Sequence, residues 1–124
     1  MKFSVEQDDD IVIFTLKESR LDSTKAADIK AEFLILCQPT VGAFIIDMTS
    51  VEYCDSAGLG AFLLAHRQLK EHGAPVILVG VGEQIMRLLS LSQIAGLFDY
   101  YDTVQEALDD LQQFEDDNFT DDDF

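Results

Sequence analysis

The chain has 124 residues, and 48% of them are hydrophobic, which is enough to build the core of one compact domain. Its 24 acidic residues outnumber its 8 basic residues and give it a formal net charge of −16. Because so negative a surface repels phosphate backbones and anionic lipids, the composition argues against direct binding to nucleic acid or to a membrane, and it favours a partner protein that presents a basic face.

The apolar pattern predicts alternating strands and helices. In chain order the predicted elements are strands 3–5 and 11–16, helix 24–36, strand 43–48, helix 57–72, strand 76–79, helix 84–91, strand 97–101 and helix 103–114. The strand at 43–48 is almost continuously apolar, as expected for a strand covered on both faces. We therefore predict an α/β fold in which four helices pack on a mixed sheet of about five strands.

Acidic residues concentrate at the C-terminus. Six of the last ten residues are acidic, and none is basic. A segment of this composition buries too little apolar surface to offset the entropy lost when it is ordered. We therefore expect one domain over residues 1–112, followed by a flexible acidic tail over residues 113–124.

The cysteine pattern and the hydropathy bear on the compartment and on bound metals. Cys37 and Cys54 form neither a disulfide framework nor the spacing of a zinc site. The sequence shows no signal-peptide pattern and no apolar run of about 20 residues, the length that crosses a bilayer. We therefore expect a cytoplasmic protein that carries no cofactor and no metal.

The stretch with the most chemical information begins where the strand at 43–48 ends. A polar turn leads to Asp55 and Ser56 at the predicted start of a helix. Asp and Ser are favoured helix N-cap residues, so capping is one interpretation of this pair. A second interpretation makes Ser56 a phosphoacceptor, because the free N–H groups and partial positive charge of a first helical turn suit a phosphate. The small residues Ala57 and Gly58 would leave the hydroxyl accessible to a kinase.

This segment resembles the signature of the STAS domain family, the sulphate-transporter and anti-sigma-factor-antagonist fold. Family members carry an apolar strand that ends in Asp, a short turn, and Asp-Ser-Ser/Ala-Gly-Leu at the start of a helix, and Asp47 and residues 55–59 match this pattern. The run Leu-Asp-Ser-Thr-Lys-Ala at 21–26 is similar to a second family feature. Two positions depart from the pattern, since Ser19 replaces a common glycine and Cys54 replaces a common apolar residue.

The resemblance implies an anti-sigma factor antagonist, a regulator of sigma-factor-dependent transcription that is not an enzyme. Such a protein, when unphosphorylated, binds an anti-sigma factor that is also a serine kinase. Phosphorylation of the serine that matches Ser56 breaks the complex, and a serine phosphatase restores it. The docking surface implied by the resemblance comprises Asp22, Ser23, Asp55, Ser56, Gly58 and Leu59.

Other functions share parts of this pattern. Within the same fold, the chain could be an interaction subunit of another regulatory or lipid-transport complex, in which Ser56 is not phosphorylated. In a receiver-type domain, Asp55 would accept the phosphoryl group and Asp8 and Asp9 would hold magnesium, but that family uses a late lysine and none follows Lys70. A serine hydrolase is excluded because its nucleophile elbow requires glycine two residues before the serine.

Overall fold

The computed structural model describes residues 1–112. Its elements are β1 (Phe3–Asp8), β2 (Ile11–Leu16), β3 (Arg20–Leu21), α1 (Ser23–Leu36), β4 (Ala43–Asp47), β5 (Tyr53–Cys54), α2 (Ser56–Lys70), β6 (Val76–Val79), α3 (Glu83–Leu91), a 3₁₀ helix (Ala95–Leu97), β7 (Asp99–Tyr101) and α4 (104–112). The predicted acidic tail at 113–124 lies outside the described residues.

Five of the strands form one mixed sheet, which confirms the predicted fold. The strand order is β1-β2-β4-β6-β7, with β1 antiparallel to β2 and the other neighbours parallel. The central strands β4 and β6 are almost entirely buried, because helices cover both faces of the sheet. β1 continues to Asp8, three residues beyond its predicted end, because its polar residues lie on an edge strand where they face solvent.

Helices α1, α2 and α3 pack on one face of the sheet, and α4 packs on the other. On the first face, the ring of Phe33 from α1 contacts Phe14 and Phe44 edge to face, with centroid distances of 5.0 and 5.1 Å. On the second face, Ala107 of α4 is fully buried in a cluster with Ile45. Each large apolar side chain buried in this way contributes about 1.5–3 kcal/mol. The two cores therefore make the sheet a rigid support for the loops at its edges.

No helix within residues 1–112 is long and apolar enough to cross a membrane.

A second, much smaller sheet was not predicted from the sequence. β3 and β5, each two residues long, pair in parallel, with Arg20 opposite Tyr53 and Leu21 opposite Cys54. The Ser19 carbonyl extends this pairing by accepting hydrogen bonds from the N–H groups of the residues at 52 and 53, at 2.8 and 3.1 Å. Strands of two residues are too short to show a period, so only their tertiary contact reveals them. This small sheet joins the segments that lead into α1 and α2.

Candidate functional site

Two helix N-termini lie next to each other at the end of the small sheet. Leu21 and Cys54 are partners in register, and the residues that follow them, Asp22 and Asp55, are the N-caps of α1 and α2. The backbone N–H of Asp55 also donates to the Leu21 carbonyl, at 3.2 Å. The pairing therefore brings the segment that carries Asp22 beside the segment that carries Ser56.

Asp55 and Ser56 have separate roles at the start of α2. The Asp55 carboxylate accepts a hydrogen bond from the backbone N–H of Gly58 at 3.0 Å, so Asp55 is the residue that caps the helix. Ser56 is the first residue of the helix and is exposed. Within residues 1–112 its hydroxyl takes part in no hydrogen bond. The hydroxyl is therefore free to react without disturbing the cap.

Asp22 caps α1 with a denser set of contacts. Its carboxylate accepts hydrogen bonds from the Thr24 hydroxyl at 2.5 Å and the Thr24 backbone N–H at 3.0 Å, and it lies 3.7 Å from Nε of Arg20. The hydrogen bond from the Thr24 hydroxyl is the main reason why the pKa of Asp22 lies below its ordinary value of 3.8. Ser23 is exposed at the first position of α1 and so corresponds to Ser56 on α2.

Arg20 and Tyr53 add a cation and an aromatic ring to this surface. They lie opposite each other on β3 and β5, and the Arg20 guanidinium carbon is 4.2 Å from the centre of the Tyr53 ring. A contact of this kind contributes about 0.5–1 kcal/mol at an exposed site. This contact could not be predicted from the sequence, because the partners are 33 positions apart and meet only through the small sheet.

Gly58 and Leu59 lie beneath the surface. A Cβ on Gly58 would be 2.5 Å from the Leu21 carbonyl oxygen and 2.7 Å from Sγ of Cys54, so only glycine permits this approach of α2 to the small sheet. Leu59 is only 4% exposed. Both residues were expected at the docking surface, but the structure leaves them almost no area for contact. Their contribution to docking would be indirect, because they hold the first turn of α2 in position.

Gln84 fixes the segment before Ser56 and was not singled out by the sequence. Its side-chain amide forms two hydrogen bonds of 2.9 Å with the backbone of Cys54, one to the N–H and one to the carbonyl. This contact ties the first turn of α3 to β5. The sequence could not reveal it, because the amide recognises backbone atoms 30 positions away.

Cys54 is a packing residue in this arrangement. It is fully buried, and burial raises the pKa of its thiol to about 12, with a further contribution from the negative charge of Asp55. A neutral thiol of this kind is a poor nucleophile. In this structure Cys54 therefore takes the place of the apolar residue that is common at this position in the family pattern.

The acidic residues required by a receiver-type site are separated in this fold. Asp8 is the last residue of β1 and Asp9 lies in the turn before β2, next to the pair formed by Ile11 and Ala43 at the amino end of β4. Asp55 follows the carboxyl end of that strand. Within the described residues, no group of three or more side chains from His, Cys, Asp and Glu could hold a metal ion. The geometry thus gives no support to a receiver-type magnesium site.

Comparison with known proteins identifies the family. The family model described as the STAS domain matches residues 2–107. The anti-sigma-B factor antagonist of Listeria monocytogenes is 32% identical over 92 residues, which cover 73% of this chain and 78% of the Listeria protein.

Solved structures show the same fold. An anti-sigma-factor antagonist (STAS) domain protein from Planctomyces limnophilus superposes with a TM-score of 0.79 at 23% identity, over 86% of this chain and 94% of that one. The unphosphorylated anti-sigma factor antagonist SpoIIAA gives a TM-score of 0.77 at 22% identity, over 90% and 97% of the two chains. The phosphorylated form of Bacillus SpoIIAA gives 0.71 at 22% identity, over 89% and 99%. By its family match and its identity to the Listeria protein, this chain belongs to the STAS domain family and, within it, to the anti-sigma factor antagonists.

Proposed function

We propose that this protein, when unphosphorylated, binds an anti-sigma factor that is also a serine kinase, and that phosphorylation of Ser56 ends the binding. The protein is the substrate in this cycle and supplies no catalysis. A serine phosphatase regenerates the binding form in the cytoplasm. In this way the state of one hydroxyl controls how much sigma factor is free for transcription.

The observation that carries the proposal is the position of the Ser56 hydroxyl. It is exposed at the first residue of α2, and the helix is capped independently by Asp55. A kinase can therefore reach the hydroxyl without unfolding the helix. Phosphorylation adds a charge of about −1.5 to −2 at this point, while the free N–H groups of the first turn tolerate the new anion.

The same geometry explains how a phosphate would end binding. Ser56 is exposed directly after the cap Asp55, and the pairing of β3 with β5 sets this segment beside the one that carries Asp22. A partner that docks on this surface would therefore contact the hydroxyl. A phosphate would occupy the space of the partner, and its dianionic charge would have to lose hydration as the interface closes over it. This steric overlap and the cost of desolvating the charge both oppose binding.

The test is a binding measurement with the anti-sigma factor encoded in the same genome. We expect Ser56→Asp to weaken binding at least about tenfold, which corresponds to 1.4 kcal/mol, while Ser56→Ala binds like the wild type. Ser23→Asp, on the equivalent position of α1, serves as the control for adding one charge to the same surface. Equal affinities for wild type and Ser56→Asp, with a stable complex, would instead indicate a STAS interaction subunit that is not regulated at this serine.

A further inference from the structure

Lys30 of α1 extends its side chain across to α2. Its Nζ and Cε atoms lie 3.1 and 3.2 Å from the position that a Cβ on Gly60 would occupy. No other atom of the described residues lies within 4 Å of that position, apart from the helix backbone and the adjoining residues. The absence of a side chain at Gly60 therefore leaves the space in which the Lys30 ammonium lies.

Gly60 is one helical turn after Ser56. Residues four apart on a helix share a face, and their Cβ positions are about 5–6 Å apart. The Lys30 ammonium therefore lies within about 9 Å of the Ser56 Cβ, on the face of α2 that carries the hydroxyl. A phosphate on Ser56 would extend from the Cβ towards the ammonium. The four-carbon side chain of Lys30 is flexible and can bring the ammonium closer to the phosphate.

The other two cations near this surface are already engaged. Arg20 lies 3.7 Å from the Asp22 carboxylate and over the Tyr53 ring. Lys25 lies 3.6 Å from the Glu18 carboxylate and donates to the Arg20 carbonyl at 3.0 Å. In contrast, no carboxylate of residues 1–112 lies within 4 Å of the Lys30 ammonium. Lys30 is therefore the cation that a new anion could recruit without breaking an existing ion pair.

We propose that Lys30 binds the phosphate of phosphorylated Ser56, with its ammonium donating hydrogen bonds to the phosphate oxygens. This inference rests on the proposed phosphorylation of Ser56. The contact draws the phosphate towards α1 and partly offsets the repulsion from the Asp22 and Asp55 carboxylates, which face the same surface. Lys30 thereby stabilises the dianionic form of the phosphate and acts as a positioning residue for it.

The experiment uses the full chain with phosphoserine incorporated at position 56 during translation, so that no kinase is needed. The second pKa of the phosphate is measured by phosphorus NMR in a pH titration. We expect Lys30→Gln to raise this pKa by about 0.3–0.7 units, the range given by an ion pair of modest strength, because the dianion loses its cation. Lys30→Arg should keep most of the effect.

Lys70→Gln is the matched control. It removes the same charge from the far end of α2, about 21 Å away along the helix, where salt screens it from the phosphate. The proposal is overturned if Lys30→Gln and Lys70→Gln give the same phosphate pKa with both variants folded. Because phosphoserine is incorporated during translation, this result does not depend on whether a kinase modifies Ser56. The binding and phosphorylation experiments decide that separate question.

Discussion

At the first turn of α2, the Asp55 carboxylate holds the helix end while the neighbouring Ser56 hydroxyl faces solvent. Loss of an N-cap carboxylate costs about 0.5–2 kcal/mol. We therefore predict that Asp55→Ala lowers the free energy of unfolding by about 1 kcal/mol, whereas Ser56→Ala leaves it nearly unchanged. Urea denaturation of the two variants beside the wild type measures this. A larger loss for Ser56→Ala than for Asp55→Ala would mean that the serine, not the aspartate, is the cap.

The lowered pKa of Asp22 leads to a prediction about how the stability of the fold depends on pH. Its pKa is lower in the folded protein, chiefly because the Thr24 hydroxyl donates to the carboxylate. A lowered carboxylate pKa stabilises the fold above the unfolded-state pKa, and this stabilisation disappears as the pH falls through the folded-state pKa. The stability difference between wild type and Asp22→Asn should therefore be largest near neutral pH and shrink in acid.

The cause of this shift can be tested separately with Thr24→Val, which removes the donating hydroxyl. An NMR titration should show the pKa of Asp22 moving up towards its ordinary value of 3.8 in this variant. An unchanged pKa would assign the shift instead to the backbone N–H of residue 24, which the variant keeps, and to the nearby cations Lys25 and Arg20.

At the scale of whole elements, two glycines of α2 provide a matched pair. A Cβ at Gly58 would collide with the backbone of Leu21, whereas a Cβ at Gly60 would meet only the flexible end of Lys30. Alanine is the better helix former by about 0.8–1.0 kcal/mol, so the helix alone would favour both substitutions. We predict that Gly58→Ala destabilises the protein by about 1–3 kcal/mol, since α2 is pushed from the small sheet, while Gly60→Ala is neutral or stabilising.

Thermal and urea unfolding of Gly58→Ala and Gly60→Ala would decide this point. Equal stabilities for the two variants would show that the small sheet can move away from α2 at little cost, and that the site is less rigid than its contacts indicate.

The contact between α3 and β5 depends on the Gln84 side chain. Gln84→Met keeps the length of the side chain but removes both hydrogen bonds to the Cys54 backbone. Leaving the N–H and carbonyl of Cys54 without partners costs about 1–3 kcal/mol, so we expect the free energy of unfolding to fall by an amount in that range. The amide of Cys54 should also exchange its hydrogen faster, while the amides of the central strand β6 keep their protection relative to global unfolding. Unchanged exchange at Cys54 would show that another contact holds β5.

Sequence patterns located the elements that carry many apolar residues in register, such as β4 and α2. They failed where a structure depends on a few long-range contacts. Three such contacts produce no periodic pattern in the sequence. They are the pairing of Leu21 with Cys54, the hydrogen bonds of the Gln84 amide, and the approach of Lys30 to Gly60. The position of Ser56 at a helix start followed from local chemistry, but the burial of Gly58 and Leu59 beneath it required the packing of α2 on the small sheet.

For the molecule as a whole, the net charge of −16 shapes how it meets a partner. A partner with a basic face would be attracted before contact, and this attraction weakens as salt shortens the Debye length from about 10 Å at 0.1 M to 3 Å at 1 M. We predict that the association rate constant falls steeply with salt, while the dissociation rate constant changes little. Stopped-flow kinetics over a salt series measures both. An association rate that does not depend on salt would mean that the docking face of the partner is not basic.

Phosphorylation of Ser56 is tested most directly by intact-mass analysis after incubation with ATP and the anti-sigma kinase encoded in the same genome. We predict one added phosphate on the wild type and on Ser23→Ala, which lacks the serine at the start of the neighbouring helix, and none on Ser56→Ala. A phosphate that persists in Ser56→Ala, or a stable complex with an active kinase that leaves the wild type unmodified, would contradict the assignment of Ser56 as the phosphoacceptor.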